Sequence, residues 1–400
     1  MRIVGIDISR GRVSACRISE NPVGDYQELF HETEVVELYA SARGVAGLFA
    51  LEPDAIVLEP TGMHYAKLWF NAASERGVEI YWVGHKQLAR FREELGFEDK
   101  NDEQDAFALA CYWWRYAGDP RRFVRRRDSL TAEVRSLSLR LQHLDRCRSP
   151  HINFLRQLLS WQFPEVARKT LQQGDGRPSL LLNWICDGGP KPRRVVRAYE
   201  KTCGMGIDER ARFGARQIRE LCLEEWGVRG QLRELLELPQ FAPYRRVMDA
   251  LRVPFKSQAI LIAQIYPLSD FLDPEGKPVK MVSKGKKSGK PTTKHLSCRR
   301  FQKTLGCSPT ERSSGTKHSK KTVSGSALCR KHIFLWLLHL ERKQRPIKLR
   351  DPDAIAVRDR LNSLKDSGVP AQLARGRCAG MAARRLFYRL VEETGRDRHP

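Results

Sequence analysis

The chain has 400 residues, enough for two to four folded units at roughly 100–200 residues each. Its 71 Lys and Arg outnumber its 47 Asp and Glu, and the formal net charge of +24 indicates a polyanionic partner, most directly nucleic acid. None of its ten cysteines belongs to a C-x-x-C pair, and no apolar run approaches the roughly 18 residues of a membrane span, which excludes zinc-ribbon, redox-motif and membrane proteins.

The first 110 residues predict strands that alternate with helices. Four short apolar runs, rich in β-branched residues, are typical of strands: 3–8, 13–18, 55–58 and 78–83. Helical periodicity at 42–51 and 64–76 flanks the third run. Such alternation indicates an α/β sandwich built around a mixed or parallel sheet.

Two later segments carry a helical heptad pattern. Apolar residues recur with 4-3 spacing across 130–158 and again across 218–235. The first run is interrupted at Arg148, Pro150 and His151, and the second at Glu225. The pattern predicts a helical hairpin, a dimerising coiled coil, or helices that pack on their own domain, and it leaves these three alternatives open.

The segment 276–340 is strongly basic, because it holds 16 Lys and Arg and a single acid, Glu311. Within it, 277–294 is rich in Lys, Gly, Ser and Pro, a composition that predicts a mobile loop. Such a concentration of charge favours strong phosphate binding that is independent of base sequence. Beyond residue 344 the charges are mixed, and a helix is predicted at about 382–393.

Four acids stand at positions that suggest chemistry: Asp7, Glu59, Asp102 and Asp105. Asp7 lies in the middle of an apolar strand, V-G-I-D-I-S, where a carboxylate must be paired or bind metal. Glu59 ends the third strand, in I-V-L-E-P-T-G. Asp102 and Asp105 are three residues apart in D-K-N-D-E-Q-D-A and share one helix face. We expect the four acids to converge at one edge of the sheet and to hold two Mg²⁺ ions about 4 Å apart for phosphoryl transfer.

Each acid also has a simpler interpretation. Asp102 and Asp105 suit a helix N-terminus, where acids complement the helix dipole, and Glu59 before a proline suits a turn. An opening G-I-D-I-S also occurs in actin-like sugar kinases, in which the aspartate serves ATP chemistry. Taken together, the four positions favour a metal-dependent nuclease.

These motifs together resemble the N-terminal domain of one transposase family. V-G-I-D-I-S, L-E-P-T-G-M-H-Y and K-N-D-E-Q-D-A-F-A-L-A are similar to the DEDD, RuvC-like domain of the IS110 family of insertion-sequence transposases. This family includes the IS1111 subgroup and the Piv-type DNA invertases. The family pattern K-x-D-x-x-D-A matches Lys100, Asp102, Asp105 and Ala106 residue by residue.

The resemblance also implies an order of domains. An α/β RNase H-like (RuvC-like) domain with the four metal-binding acids is expected at 1–127, followed by a helical coiled-coil region at 128–238. A mainly α, serine-bearing transposase domain is expected at 239–345, with a basic insertion at 273–295. A C-terminal helical tail is expected at 346–400.

The family's second domain carries a nucleophilic serine in a pattern similar to G-L-x-P-x-x-x-x-S-G. In L-G-C-S-P-T-E-R-S-S-G-T, counting from Pro309 places Ser314, beside Gly315, at that position, with Ser313 as the rival. A serine hydroxyl needs metal or general-base help and cationic neutralisation of the phosphate. By itself, S-S-G in a basic sequence is typical of a phosphate-binding loop. The family's glycine-containing hairpin is altered, because V-P-F-K-S-Q keeps Pro254 but neither glycine.

Basic residues near the serine, in the 277–294 segment and after the N-terminal domain are expected to bind nucleic acid. The expected contacts are Arg312, Lys317, Lys320, Lys321, Lys284, Lys286, Lys287, Arg125 and Arg126. An aromatic cluster either stacks on bases or closes the N-terminal core. Its members are Tyr112, Trp113, Trp114 and Tyr116.

The resemblance implies a DNA recombinase of a mobile element. Ser314 is then expected to attack a DNA phosphodiester and to become covalently linked to it, while the four acids position Mg²⁺, with two ions per site and Mn²⁺ as a substitute. The implied partners are donor and target DNA, a structured guide RNA encoded in the element, and further copies of the chain in a homodimer or homotetramer. A cytoplasmic, nucleoid-associated location in a bacterium or archaeon is expected.

Two alternatives remain open. One is a hydrolytic, junction-resolving nuclease that uses the same four acids and water as the nucleophile. The other is a non-catalytic RNA-binding protein.

Overall fold

The computed structural model describes residues 1–60, 63–124, 128–186, 191–284, 289, 291–308, 310–314, 317–321, 325–341 and 347–396. The chain divides into two compact units, Met1–Arg127 and Asp128–Pro400. A mixed sheet with helices builds the first unit, and the second is mostly helical. In the described part of the chain, no helix combines the length and the apolar character needed to cross a membrane.

The first unit alternates strands and helices, as the sequence predicts. Its strands are β1 (Ile3–Ser9), β2 (Arg12–Ile18), β3 (Val35–Tyr39), β4 (Ala55–Leu58) and β5 (Glu79–Trp82). Its helices are α1 (Tyr26–Glu32), α2 (Ala42–Ala50), α3 (Met63–Glu75), α4 (His85–Glu94) and α5 (Asp102–Tyr116), and a 3-10 turn follows at Pro120–Arg122. Three of these elements, α1, β3 and α4, are not predicted by the sequence patterns.

The five strands form one mixed sheet in the order β3-β2-β1-β4-β5. Strand β2 runs antiparallel to β1 and β3, whereas β4 runs parallel to β1 and β5. Alternate residues of β1 point to opposite faces. Val4, Ile6 and Ile8 pack in a cluster with residues of α2 and α3, and Ile3 packs in another with residues of α4 and α5. The sheet therefore lies between two helical layers.

Gly5 allows α5 to lie directly on β1. A Cβ atom at this position would come within 2.0 Å of the Ala106 carbonyl oxygen and 2.6 Å of the Ala110 backbone nitrogen. Both distances are far inside van der Waals contact, so a side chain here would push the helix away. The absence of a side chain at Gly5 thus allows α5, which carries two of the four acids, to lie close to the strand that carries Asp7.

Helices dominate the second unit. They are α6 (Ser129–Gln162), α7 (Leu180–Ile185), α8 (Arg193–Glu200), α9 (Glu209–Glu237), α10 (Ala242–Ala250), α11 (Phe255–Ile265), α12 (Leu296–Thr304), α13 (Ala327–Leu340), α14 (Pro352–Asp366) and α15 (Ala371–Arg396). Two strand pairs interrupt them, β6 (Lys280–Lys284) with β7 (Pro291–His295) and β8 (Thr310–Ser314) with β9 (Lys317–Lys321). Short 3-10 turns lie at Pro164–Val166, Pro239–Phe241 and Leu268–Phe271.

The helices α6 and α9 pack antiparallel. Near the start of α6, Val134 shares an apolar cluster with Leu236 at the end of α9. Near the end of α6, Leu159 shares a second cluster with Ala211 at the start of α9. The heptad pattern therefore supports contacts within one chain, as the helical-hairpin alternative expects. The first cluster also includes residues of α10 to α15, so that much of the second unit shares one core.

The two charged residues that interrupt the heptads are partners of each other. Glu225 is fully buried, and its carboxylate is ion-paired with three cations: Arg148, Arg229 and Lys256. The Arg229 Nη2 atom lies 2.6 Å and the Lys256 Nζ atom 2.7 Å from Glu225 Oε1. The helix α6 continues through Pro150. The expected interruption is thus a buried ion cluster within a continuous helix pair, because a carboxylate can be buried only when cations compensate it.

Both strand pairs lie where the sequence suggests loops. The prediction of a mobile loop at 277–294 is wrong for its described part, because β6 pairs with β7 in register from Lys280 opposite His295 to Lys284 opposite Pro291. Most residues of these two strands are exposed. Strands that are polar on both faces carry no apolar alternation, which is the main strand signal in a sequence.

The helices α10 and α11 form a helical hairpin without the family's two glycines. Arg252, in the turn, adopts the left-handed backbone conformation with φ of 57°. A residue with a side chain takes this conformation at a cost of about 1 kcal/mol, which glycine avoids. Pro254 precedes α11, whose N-terminus has no side-chain cap.

Candidate active site

Asp7 lies on the face of the sheet that α5 covers. In a strand, residues i and i+2 point the same way, so Asp7 shares its face with Ile3 and Gly5. Asp7 is 8% exposed. Glu59 directly follows β4, whose last residue, Leu58, pairs with Ile6 in the parallel register. The residues after this pair, Asp7 and Glu59, therefore occupy neighbouring positions on adjacent strands.

The other two acids come from the first turn of α5. Asn101 caps this helix, because its side chain accepts a hydrogen bond from the Glu103 backbone N–H. The cap fixes where the helix begins and so sets the direction of Asp102 and Asp105, which are one turn apart. Asp105 is only 2% exposed. A carboxylate placed merely to complement the helix dipole would remain in solvent, so the dipole does not account for Asp105.

The four acids influence one another electrostatically. Burial raises the pKa of Asp7 to about 7, and repulsion from Asp105, Asp102 and Glu59 adds to this rise, in that order. A hydrogen bond to the Ile8 backbone opposes it. Asp105, Asp102 and Glu59 thus all lie close enough to Asp7 to affect its charge, and their joint binding of metal stays a prediction. A carboxyl group with a raised pKa in such a cluster marks a candidate functional site.

Two basic residues of α4 belong to the same site, and no pattern in the sequence predicts them. The Arg92 Nη1 atom lies 2.5 Å from Asp105 Oδ1, and the Arg92 side chain is only 12% exposed. His85 Nδ1 contacts Glu59 Oε1. His85 and Arg92 are seven residues apart, which places them on one face of the helix. The signal in H-K-Q-L-A-R-F-R is weak, because these residue types are equally common on solvated helices.

The donor set of the acid cluster suits a hard divalent cation. It consists of carboxylate oxygens alone, which Mg²⁺ and Mn²⁺ prefer over the nitrogen and sulfur ligands typical of zinc. Within the described ranges, however, no group of three or more His, Cys, Asp or Glu side chains is arranged to hold a metal ion. Arg92 and His85 partner Asp105 and Glu59 instead.

The candidate nucleophile lies in the second unit. Ser314 is the last residue of β8 and pairs with Lys317 in the antiparallel register, while Ser313 pairs with His318. The serine sequence thus forms a strand pair where a loop was the simpler interpretation. The same register includes Arg312, Lys320 and Lys321, which are expected to bind nucleic acid.

The remaining expected contacts are only partly described. Lys284 is exposed at the end of β6, whereas Lys286, Lys287, Arg125 and Arg126 lie outside the described residues. The interpretation of the aromatic cluster as a stacking platform is wrong for Tyr112 and Trp113, which are 2% and 8% exposed and belong to the core beneath α5. Trp114 and Tyr116 are partly buried against the same core.

Comparison with families of known proteins gives a match to a transposase family. Residues 4–164 match the model of the IS110-type DEDD domain, whose description is "Transposase". The matched residues contain all four acids, both basic partners from α4 and the whole of α6. A comparison with curated proteins finds no match.

Proposed function

Because residues 4–164 belong to the DEDD transposases of the IS110 family, we propose that the chain cuts and rejoins the DNA of an insertion sequence. The proposed nucleophile is a serine hydroxyl. The proposal depends mainly on the environment of Asp7. Its carboxyl group is buried in the middle of a strand, and three other acids contribute to raising its pKa. A buried carboxyl group with a raised pKa, close to three further acids, is typical of a functional site, and cation binding would offset the repulsion among the acids.

The proposed reaction is a phosphoryl transfer that conserves the number of ester bonds. The Ser314 oxygen bonds to the phosphorus of a DNA phosphodiester, and the ester bond to one neighbouring sugar oxygen breaks. The serine proton passes to a base, and the departing strand end takes up a proton and leaves as a hydroxyl. A hydroxyl of a second strand then attacks the phosphoserine, which rejoins DNA and restores Ser314.

The four acids are the residues that would hold Mg²⁺ in this proposal: Asp7, Glu59, Asp102 and Asp105. When bound, the metal would neutralise charge on the reacting phosphate and lower the pKa of the attacking hydroxyl. Arg92 would orient Asp105, because its guanidinium lies 2.5 Å from that carboxylate. His85 would hold Glu59 in the same way.

The fold and assembly are proposed on the same basis. Three antiparallel strands followed by two parallel ones, in the order β3-β2-β1-β4-β5, support an RNase H-like class for the first unit. For the second unit we propose a helical region to about residue 238, a serine-bearing domain to 345 and a helical tail. We also propose an active assembly of two or four copies that acts on donor and target DNA.

A guide RNA is the proposed source of site selection. The segment 276–340 supplies a large excess of positive charge, which binds phosphates without reading bases. Base pairing by a bound RNA would provide the sequence information that a purely basic surface lacks.

The proposal is tested by removing one acid. Asp7→Asn keeps the size of the side chain but removes its charge, so it should abolish DNA cleavage, by at least about a thousandfold, without loss of nucleic-acid binding. Cleavage of end-labelled donor DNA and a gel-shift assay measure the two properties, with Mg²⁺ and the element's RNA present. Asp99→Asn, at an exposed position three residues before Asp102, is the matched control and should cleave normally. Wild-type cleavage by Asp7→Asn, or by wild-type protein in excess chelator, would refute the metal-dependent site.

A further inference from the structure

A cavity of about 810 Å³ opens in the second unit between α6, α11 and α13. It is distinct from the acid cluster and from the serine strand pair, since its lining residues come from neither. Ligand sites in proteins commonly have volumes of about 300–1,000 Å³ and combine an apolar surface with a few polar groups. The size of this cavity is therefore suitable for one small organic ligand or one unit of a polymer.

The charges around the cavity favour an anion. Four cations line it: Arg146, Arg229, Lys256 and Lys331. Among the described residues of the lining, Asp145 is the one acid. The Asp145 carboxylate is ion-paired with Lys256, with 2.9 Å between Oδ2 and Nζ. The buried carboxylate of Glu225 pairs with Lys256 and Arg229. Burial also lowers the pKa of Lys256, so an added anion would stabilise its charged form.

The rest of the wall combines apolar side chains with a hydrogen-bonded polar group. Leu335 and Phe255 contribute apolar surface. Next to them, Gln142 Nε2 lies 3.3 Å from His332 Nε2, and His332 Nδ1 lies 3.0 Å from Ser257 Oγ. Burial lowers the pKa of His332 to about 4, so its imidazole is neutral at pH 7. Ser257 and His332 are almost fully buried, so their hydrogen bond forms a fixed, uncharged part of the wall.

We propose that this cavity binds one unpaired nucleotide of a nucleic acid, with the phosphate at Lys256 and Lys331 and the base between Phe255 and Leu335. The inference rests on the proposed function, which supplies the nucleic acid, and extends it by naming where a single nucleotide leaves the strand. A splayed nucleotide offers the combination that this wall matches, a monoanionic phosphate beside a flat ring with hydrogen-bonding edges. An RNA loop and a single-stranded DNA end share this chemistry.

Photo-cross-linking tests the proposal and distinguishes the two sources. The full-length protein is irradiated with single-stranded RNA that contains 4-thiouridine, or with DNA of the same sequence that contains 4-thiothymidine, and the linked peptides are identified by mass spectrometry. Cross-links should form to α11 or α13 at the cavity wall. Links from RNA alone assign the nucleotide to the RNA, and links from DNA alone assign it to the DNA.

Two variants make the test independent of folding. Ser149→Trp fills the cavity from an exposed position of α6, and Lys331→Glu reverses one exposed charge of its wall. Each should remove the cavity cross-links and weaken single-strand binding by about tenfold, the usual effect of losing one stacked base or phosphate contact. Lys169→Glu makes the same charge change at an exposed residue outside the cavity and should change binding by no more than about twofold.

The outcomes separate this inference from the proposed function. If wild-type protein binds nucleic acid but its cross-links avoid the cavity, or if both cavity variants behave like Lys169→Glu, the inference is wrong and the proposed function is unaffected. If wild-type protein binds neither RNA nor DNA, both fail.

Discussion

At the scale of single residues, the buried carboxyl group of Asp7 lowers the stability of the first unit. Its side chain is only 8% exposed on the face of the sheet that α5 covers, and burying a carboxylate there is costly. Burial and three nearby acids raise its pKa from 3.8 to about 7. The folded protein therefore holds a proton that the unfolded chain releases, so the stability of the first unit falls as the pH rises from about 4 to about 7.

The first prediction follows from this fall of stability with rising pH. Without divalent cations, Asp7→Asn should raise the free energy of unfolding of the first unit by on the order of 3 kcal/mol at pH 8 and change it little at pH 4. Denaturant-dependent hydrogen exchange of peptides from β1 measures this unit alone. Asp99→Asn, at an exposed residue, should have no such pH-dependent effect. An equal effect of Asp7→Asn at both pH values would show that the pKa of the Asp7 carboxyl group is not raised in the folded protein.

The acids were predictable from the sequence, whereas their basic partners were not. Asp7 is conspicuous because an acid interrupts an apolar strand, and Asp102 and Asp105 because their spacing defines a helix face. Arg92 and His85 are recognisable only in three dimensions, since the sheet must first place α4 beside α5. Local patterns report which face a residue occupies but not which element covers that face.

At the scale of elements, the pair α6 and α9 is specified by charge as well as by apolar packing. Arg148 and Glu225 are charged residues at which the heptads are interrupted, and they meet in a buried ion cluster. Such pairs rarely add net stability, but removing one partner leaves an uncompensated buried charge. The cluster thus fixes the register of the two helices, because any shift would separate the charges.

This arrangement gives a second prediction. Glu225→Leu should destabilise the second unit by on the order of 3–5 kcal/mol, and Arg148→Met added to it should recover part of that loss. Urea denaturation of the single and double variants measures the recovery. Glu224→Leu, which breaks an exposed pair with Arg140, should cost less than about 1 kcal/mol. A double variant less stable than Glu225→Leu would contradict the pairing.

The limits of prediction differ between elements. Strands β1, β2, β4 and β5 were predicted because they are apolar runs bounded by turn residues. Strand β3 is an edge strand of mixed polarity, and β6 and β7 are largely exposed, so neither the apolar count nor its alternation identifies them. The continuity of α6 through Pro150 was also missed, because packing against α9 offsets the local preference of proline.

At the scale of the whole molecule, the affinity for nucleic acid and the choice of a DNA site have different sources in the proposed function. The net charge of +24 provides affinity for any nucleic acid. We therefore predict that protein freed of RNA by nuclease treatment binds unrelated DNA fragments with affinities within about threefold of one another and recombines none of them.

Adding RNA transcribed from the element should confer site choice in a plasmid recombination assay, and altering its unpaired loops should redirect it. A scrambled RNA of equal length is the control and should give no recombination. Site-specific recombination by RNA-free protein would contradict the guide and would require an element that reads bases directly.

The most direct test of the account concerns the bond between protein and DNA. Radiolabelled donor DNA is incubated with the protein, RNA and Mg²⁺, and the reaction is stopped with denaturant, resolved on a gel and analysed by mass spectrometry. We predict a covalent adduct through a phosphoserine at Ser314, present with Ser313→Ala and absent with Ser314→Ala or Asp7→Asn. Cleavage without an adduct would contradict serine chemistry and indicate hydrolysis by water, and an adduct at Ser313 would move the nucleophile by one residue.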